Sequence, residues 1–207
     1  KLLIDTARQS GKPVICVLSG NFVQRGDTAI ISKQKRAETA LLCGIDVVAE
    51  LPVLWSMSTA QNFALGGVSQ LYALGCDEII FGSECGDVET LISAADVLLS
   101  SYFKELVAKY IKDGITFAVA REKAACDLGI DENILKGANN NLGIEYICAA
   151  KKLGADITFK TIKRIGAQHD SASITDNYVS SSLLREKIKK GESLQIPFNG
   201  IYRNFPF

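Results

Sequence analysis

The stretch Leu42-Cys43-Gly44-Ile45-Asp46-Val47-Val48-Ala49-Glu50-Leu51 states the fold in miniature. A glycine stands where a helix must end, and a short apolar run follows it. Glycine just past a helix supplies the left-handed residue that closes the last turn. A run of about five apolar, β-rich residues has the length of a buried strand. The phrase returns along the chain. Leu74-Gly75-Cys76-Asp77 precedes Glu78-Ile79-Ile80-Phe81, and Leu153-Gly154-Ala155-Asp156 precedes Ile157-Thr158-Phe159. A looser instance, Ser10-Gly11-Lys12-Pro13, precedes Val14-Ile15-Cys16-Val17-Leu18.

Helical patterns fill the intervals. Ser58-Thr59-Ala60-Gln61 has capping-box spacing, and Phe63, Ala64, Gly67, Val68, Leu71 and Tyr72 follow a helical period behind it. Val88, Leu91, Ile92, Ala95, Leu98 and Leu99 repeat the pattern after Asp87. Phe103, Leu106, Val107, Tyr110 and Ile111 share a further helical face. Strands alternating with helices through short connections predict an α/β fold, a doubly wound and mostly parallel sheet with right-handed crossovers. Residues 103–135 carry helix signals and no strand signal, so they read as a helical insertion. The α/β domain is expected over residues 1–190, with a truncated C-terminal segment over 191–207.

Composition narrows the function classes. The 207 residues hold 23 basic and 23 acidic side chains and one histidine, for a formal net charge of zero. Hydrophobic residues make up 47%, which excludes a disordered chain. A wholesale basic shell is excluded too, so nucleic-acid binding must come from a local patch. No apolar run approaches the roughly 18 residues that span a bilayer. The six cysteines include no Cys-x-x-Cys pair and mostly sit in apolar runs. They read as reduced, buried thiols, and the compartment as cytoplasmic.

In an open α/β sheet, ligands bind beyond the carboxyl ends of the strands. Polar and glycine residues gather there four times: Ser19-Gly20-Asn21-Phe22-Val23-Gln24-Arg25-Gly26-Asp27, Glu50-Leu51-Pro52, Gly82-Ser83-Glu84, and Lys163-Arg164-Ile165-Gly166-Ala167-Gln168-His169-Asp170. Farther on, Ser180-Ser181-Ser182-Leu183-Leu184-Arg185 opens a helix. Its free N–H groups, hydroxyls and Arg185 suit a phosphate, and a simple serine cap suits the same residues. His169 reads as a general base or as a structural side chain. Lys163 and Arg164 suit a phosphate or an RNA backbone. Lys33, Lys35, Arg36, Lys187, Lys189 and Lys190 are further cations, most of them consistent with solvated helix faces. Asn139-Asn140-Asn141 opens another helix. One asparagine serves as a cap, and three exceed that need, which points to contact with a base or ribose.

Taken as a set and in this order, the motifs resemble the bacterial tRNA(Met) cytidine acetate ligase family. They are Ser19–Asp27, Glu50-Leu51-Pro52, Phe81-Gly82-Ser83-Glu84, Asn139-Asn140-Asn141-Leu142-Gly143 and Thr161-Ile162-Lys163-Arg164-Ile165-Gly166. The resemblance covers the chain to about Lys190. It implies a Rossmann-like nucleotidyltransferase fold and a two-step reaction. ATP activates acetate to acetyl-adenylate, and the acetyl group passes to the wobble cytidine of elongator tRNA(Met), giving 4-acetylcytidine.

The resemblance also implies residue roles. Gly82, Asn139, Asn140, Arg164 and Ile165 would contact ATP, joined by Ser180, Ser181 and Arg185. The segment with Ser19, Gly20, Asn21, Gln24, Arg25, Lys33 and Arg36 would form a tRNA or substrate loop. ATP is the implied cofactor, with Mg²⁺ accompanying it and no protein-held metal site. The implied partners are tRNA(Met), acetate and ATP, with no membrane.

There are departures from the family pattern. The His-x-Gly-His segment that binds ATP in this family would lie before Lys1, so the catalytic residues are not assigned. Ala138 stands where the family has proline, and Asn141 where it has an apolar residue. The chain thus reads as a fragment, impaired by itself. Two alternatives share part of the pattern: a small-molecule adenylyltransferase of the same superfamily, and an inactive RNA-binding relative.

Overall fold

The computed structural model describes residues 2–24, 26–164 and Lys190. In chain order the elements are α1 (Leu2–Arg8), β1 (Ile15–Ser19), α2 (Lys33–Leu42), β2 (Val47–Leu51), α3 (Val53–Ser56), α4 (Ala60–Ala73) and β3 (Glu78–Ser83). Then follow α5 (Val88–Leu99), α6 (Ser101–Lys112), α7 (Phe117–Asp127), α8 (Glu132–Lys136), α9 (Ala138–Leu153) and β4 (Thr158–Lys163). The recurring glycines do what the sequence asks of them. Gly44 closes α2 at φ 104° and Gly154 closes α9 at φ 63°, backbone angles that a side chain strains.

Among the described residues the named strands pair in parallel, as the strand–helix alternation predicts. The strands of the described residues form two pairs rather than one continuous ladder: β1 with β2, and β3 with β4. Ile15 lies opposite Val47 and Ser19 opposite Leu51 in the first pair; Glu78 lies opposite Thr158 and Ser83 opposite Lys163 in the second. Lys12, just before β1, forms an ion pair with Asp77, just before β3, so both strands start from one edge. Their carboxyl ends therefore carry the candidate ligand loops at the opposite edge.

The strands are longer than their apolar runs. β3 continues through Gly82 to Ser83, and β4 through Thr161 to Lys163. A short hydroxyl network explains the polar extension. The Thr161 hydroxyl donates to the Ser83 Oγ at 2.7 Å, and the Ser83 Oγ also accepts the Gly86 N–H at 2.9 Å. The buried Ser83 is thereby satisfied, as burial of a hydroxyl requires.

Among the described residues the core gathers around β3 and the helices that follow it. Ile79 and Phe81 of β3 alternate inward and meet Leu91, Ala95 and Leu98 of α5 and Ile144, Ile147 and Cys148 of α9. Helix α9 packs against α4, α5, α8 and β3. Gly143 permits that closeness: a Cβ there would stand 2.3 Å from the Phe81 ring. Tyr146, one turn on, meets the same ring edge to face at 5.8 Å. The core thus fixes α9 against β3, and with it the start of α9 against the end of β3.

Candidate functional site

The carboxyl ends of β3 and β4 and the start of α9 converge on one polar cluster. Its hub is Glu84, the residue after β3. One carboxylate oxygen of Glu84 accepts the Asn139 side-chain amide N–H at 2.6 Å and the Asn139 backbone N–H at 3.1 Å. The other accepts the Asn140 backbone N–H at 2.7 Å. The first N–H groups of a helix lack partners within it and carry its positive dipole end, so a carboxylate there is stabilised. Burial alone would raise the Glu84 carboxyl. The hydrogen bonds from the Asn139 side chain and from the two backbone N–H groups outweigh it and hold Glu84 below the usual carboxylate range.

Asn140 completes the exchange. It is 1% exposed, and its amide oxygen accepts the N–H groups of Glu84 at 2.9 Å and Cys85 at 3.1 Å. The loop after β3 and the start of α9 are thereby locked to each other. Gly137 provides the clearance, since a Cβ there would stand 2.6 Å from the Glu84 carboxylate.

Arg164 enters from β4. Its backbone N–H bonds to the Ser83 carbonyl at 2.9 Å and extends the parallel ladder by one step. Its guanidinium donates to the Asn139 amide oxygen at 3.1 Å. Gly82 makes room for the stem of Arg164, whose Cγ would be 3.3 Å from a Cβ at that position. The glycine thus has a reason within the chain: it seats an arginine across the strand pair. Gly82, Asn139, Asn140 and Arg164 are brought together as the sequence expects.

The three asparagines also serve the start of α9 itself. Gly137 is the N-cap of α9, and no side chain of its own caps it. Glu84 caps it from another loop. The Asn141 side chain turns back on the carbonyls of Leu135 and Gly137. Asn139, Asn140 and Asn141 thus each bond within the chain, while the Asn141 Oδ1 is buried without a partner among the described residues.

The segment after β1 forms a second cluster. Phe22 and Thr28 pair in a short antiparallel bridge, and the Ser56 hydroxyl donates to the Phe22 carbonyl at 2.7 Å. Arg36 reaches from α2 and donates to the carbonyls of Gly20 and Ile31, near the two ends of the loop. Lys33 pairs with Glu50 at 2.8 Å. Ser19, Lys33, Gln34 and Glu50 also line a cleft of about 230 Å³, walled by Leu18, Val48 and Ala49. The cations expected to face tRNA here, Lys33 and Arg36, are turned onto partners of the chain itself.

Ser19 ends β1, and Gly20, Asn21 and Gln24 follow in the braced loop. Arg25, Ile165, His169, Ser180, Ser181, Arg185, Lys187 and Lys189 lie outside the described residues. Glu84 is the member of this cluster that sequence reasoning misses, since its motif alone assigns it no role. Its one signal is an acidic side chain at a strand end in a chain whose later helix opens on asparagines. Among the described residues, no three or more His, Cys, Asp or Glu side chains converge as a metal site.

A glycine-seated arginine and an acid-capped helix at the strand ends suit a nucleotide-handling α/β domain. A family model described as HIGH Nucleotidyl Transferase matches residues 1–202. The chain belongs to the HIGH nucleotidyl transferase family.

Within this family, the chain is similar to proteins named tRNA(Met) cytidine acetate ligase. One from Thermoanaerobacter sp. is 46% identical over 180 residues, covering 84% of this chain and 45% of the relative. The chain thus spans about half the length of the curated relatives it matches. A crystal structure of Thermotoga maritima TmcAL bound with alpha-thio ATP matches with a TM-score of 0.79 at 34% identity, over 92% of this chain and 46% of that one. The apo form of the same protein matches at 0.82 and 37%, over 91% and 48%. These likenesses bear out the nucleotidyltransferase-like α/β fold expected from the sequence.

Proposed function

We propose that this chain is the nucleotide-handling part of a tRNA(Met) cytidine acetate ligase. In this reading an acetate oxygen attacks the α-phosphorus of ATP and pyrophosphate leaves, giving acetyl-adenylate. The exocyclic amine of the wobble cytidine then attacks the acetyl carbonyl, AMP leaves, and 4-acetylcytidine forms. The observation that supports it best is the 46% identity over 180 residues to a protein of that name. The Gly82–Asn139–Arg164 arrangement gives it a physical footing. The first step moves negative charge among phosphates, and a guanidinium fixed at the strand ends meets that charge without reorganisation.

In the same proposal Gly82, Asn139, Asn140 and Arg164 face ATP, and Asn140 also holds the loop after β3. Ile165, Ser180, Ser181 and Arg185 complete the phosphate contacts. Ser19, Gly20, Asn21, Gln24 and Arg25 form the tRNA or acetate loop, and Lys33 and Arg36 brace it. Mg²⁺ accompanies ATP as its phosphate counter-ion. The catalytic domain extends to about residue 190 with residues 103–135 as a helical insertion, and the protein works in the cytoplasm. No helix among the described residues is long and apolar enough to cross a membrane.

The test is pyrophosphate exchange into ATP by the intact protein, with and without acetate, followed by mass spectrometry of tRNA(Met). Acetate-dependent exchange and a 42-dalton gain on cytidine, roughly the mass of an acetyl group replacing hydrogen, are expected. Exchange that ignores acetate would sink the reading, and nucleotide transfer to a small phosphorylated acceptor would replace it with an adenylyltransferase.

A further inference from the structure

We infer that Glu84 is a positioning residue for the nucleotide site, fixing the Asn139 amide so that its oxygen holds the Arg164 guanidinium. The inference rests on the proposal that Arg164 meets ATP. It follows from donor and acceptor chemistry. A side-chain amide has one accepting end and one donating end, and the two are close in shape. Asn139 stands between a carboxylate, which only accepts when ionised, and a guanidinium, which only donates. One orientation alone satisfies both: Nδ2 toward Glu84 at 2.6 Å, and Oδ1 toward Arg164 at 3.1 Å. Glu84 therefore acts on Arg164 through an amide it never lets turn.

The relay also separates charges. Were the arginine paired with the carboxylate directly, each would neutralise the other. Here the carboxylate is spent on the start of α9, through the N–H groups of Asn139 and Asn140. The guanidinium is held by a neutral amide and keeps its charge for a phosphate. The depressed pKa of Glu84 agrees with its being the ionised, accept-only partner at neutral pH.

Glu84→Gln breaks the logic with little change of shape. Its amide keeps one accepting oxygen where the carboxylate had two, so it opposes either the Asn139 N–H groups or the Asn140 N–H. The Asn139 amide is then no longer held in one orientation by an accept-only partner. The double variant Glu84→Gln with Asn139→Ala closes a cycle: with the amide gone, Glu84 has nothing through which to act on Arg164. The measurement is ATP affinity of the intact protein by calorimetry, without acetate or tRNA, beside circular dichroism and thermal melting. We expect Glu84→Gln to weaken ATP about tenfold when Asn139 is present, and by less than about twofold when position 139 is already alanine, in line with hydrogen bonds to charged groups. Lower melting with unchanged affinity in Glu84→Gln would overturn the inference. So would a loss from Glu84→Gln that is as large in the Asn139→Ala background as in the wild type. Wild-type protein that binds no ATP would instead overturn the nucleotide reading itself.

Discussion

The two strand pairs of this chain are built on different physical terms. In the β3–β4 half, Ile79, Phe81 and Ser83 are buried in alternation, and α5 and α9 close over them. In the β1–β2 half, no residue of β1 is buried, and Leu51 alone is buried in β2. Its loop is held by separate polar ties from Arg36 and Ser56. Dense packing resists displacement because neighbouring atoms have nowhere to go, whereas a long charged side chain yields by rotating. The first half can hold an arginine in place; the second can hold a loop and still let it adjust.

A pair of glycine substitutions should show the contrast at its largest. A Cβ at Gly143 would meet the Phe81 ring at 2.3 Å, and a Cβ at Gly20 would meet the tip of the Glu50 side chain at 2.2 Å. The distances are alike, but the obstacles are not. The buried ring is boxed in by β3 and α9, so Gly143→Val should cost on the order of 3 kcal/mol in chemical denaturation. Glu50 is exposed and swings aside, so Gly20→Ala should cost less than about 0.5 kcal/mol. Equal losses would erase the proposed difference between the halves.

Arg36→Ala should come next. Its guanidinium ties Gly20 and Ile31, and its loss leaves both carbonyls to find water. We expect about 1–2 kcal/mol of destabilisation. Hydrogen exchange should quicken across residues 20–31 and stay unchanged in α9. Exchange that rises equally in both regions would mean that the loop is not an independent unit.

The same contrast governs what the sequence reveals. The strands, their order and the glycine-ended helices follow from local patterns, because each depends on residues a few positions apart. Gly82 and Arg164 can be assigned to one site from the resemblance. That Gly82 seats the stem of Arg164 cannot, since the two are far apart in sequence and meet only through β3–β4 register. Glu84 stays hidden for the same reason: its partners, Asn139 and Asn140, lie across the whole helical stretch α5–α8. The resemblance puts Lys33 and Arg36 in a tRNA or substrate loop, but a sequence does not show which groups of the chain their charges meet. The fold brings Glu50 to Lys33 and the Gly20 carbonyl to Arg36.

Acid sharpens the comparison from the other half. The folded Glu84 carboxyl lies below its ordinary range, so the unfolded chain binds a proton at higher pH than the folded one. Its stabilising contribution is therefore complete above the usual carboxylate pKa, and is lost as pH falls through that range toward the folded value. The wild type should lose stability more steeply than Glu84→Gln between about pH 5 and pH 3. Parallel stability curves for the two proteins would remove Glu84 as the source.

The smallest effect is expected where a charge pair is most visible. Lys33 and Glu50 meet at 2.8 Å, yet their side chains are 38% and 50% exposed. Water screens such a pair, and ordering two long side chains offsets much of the attraction. Lys33→Met should therefore change stability by less than about 0.5 kcal/mol at physiological salt, and by little more at low salt. The double variant with Glu50→Gln should show coupling no larger than that. Coupling of about 2 kcal/mol would put this pair in the range of buried ion pairs rather than exposed ones. The β1–β2 half would then be as tightly built as the β3–β4 half, and the division between a fixed arginine site and an adjustable loop would fail.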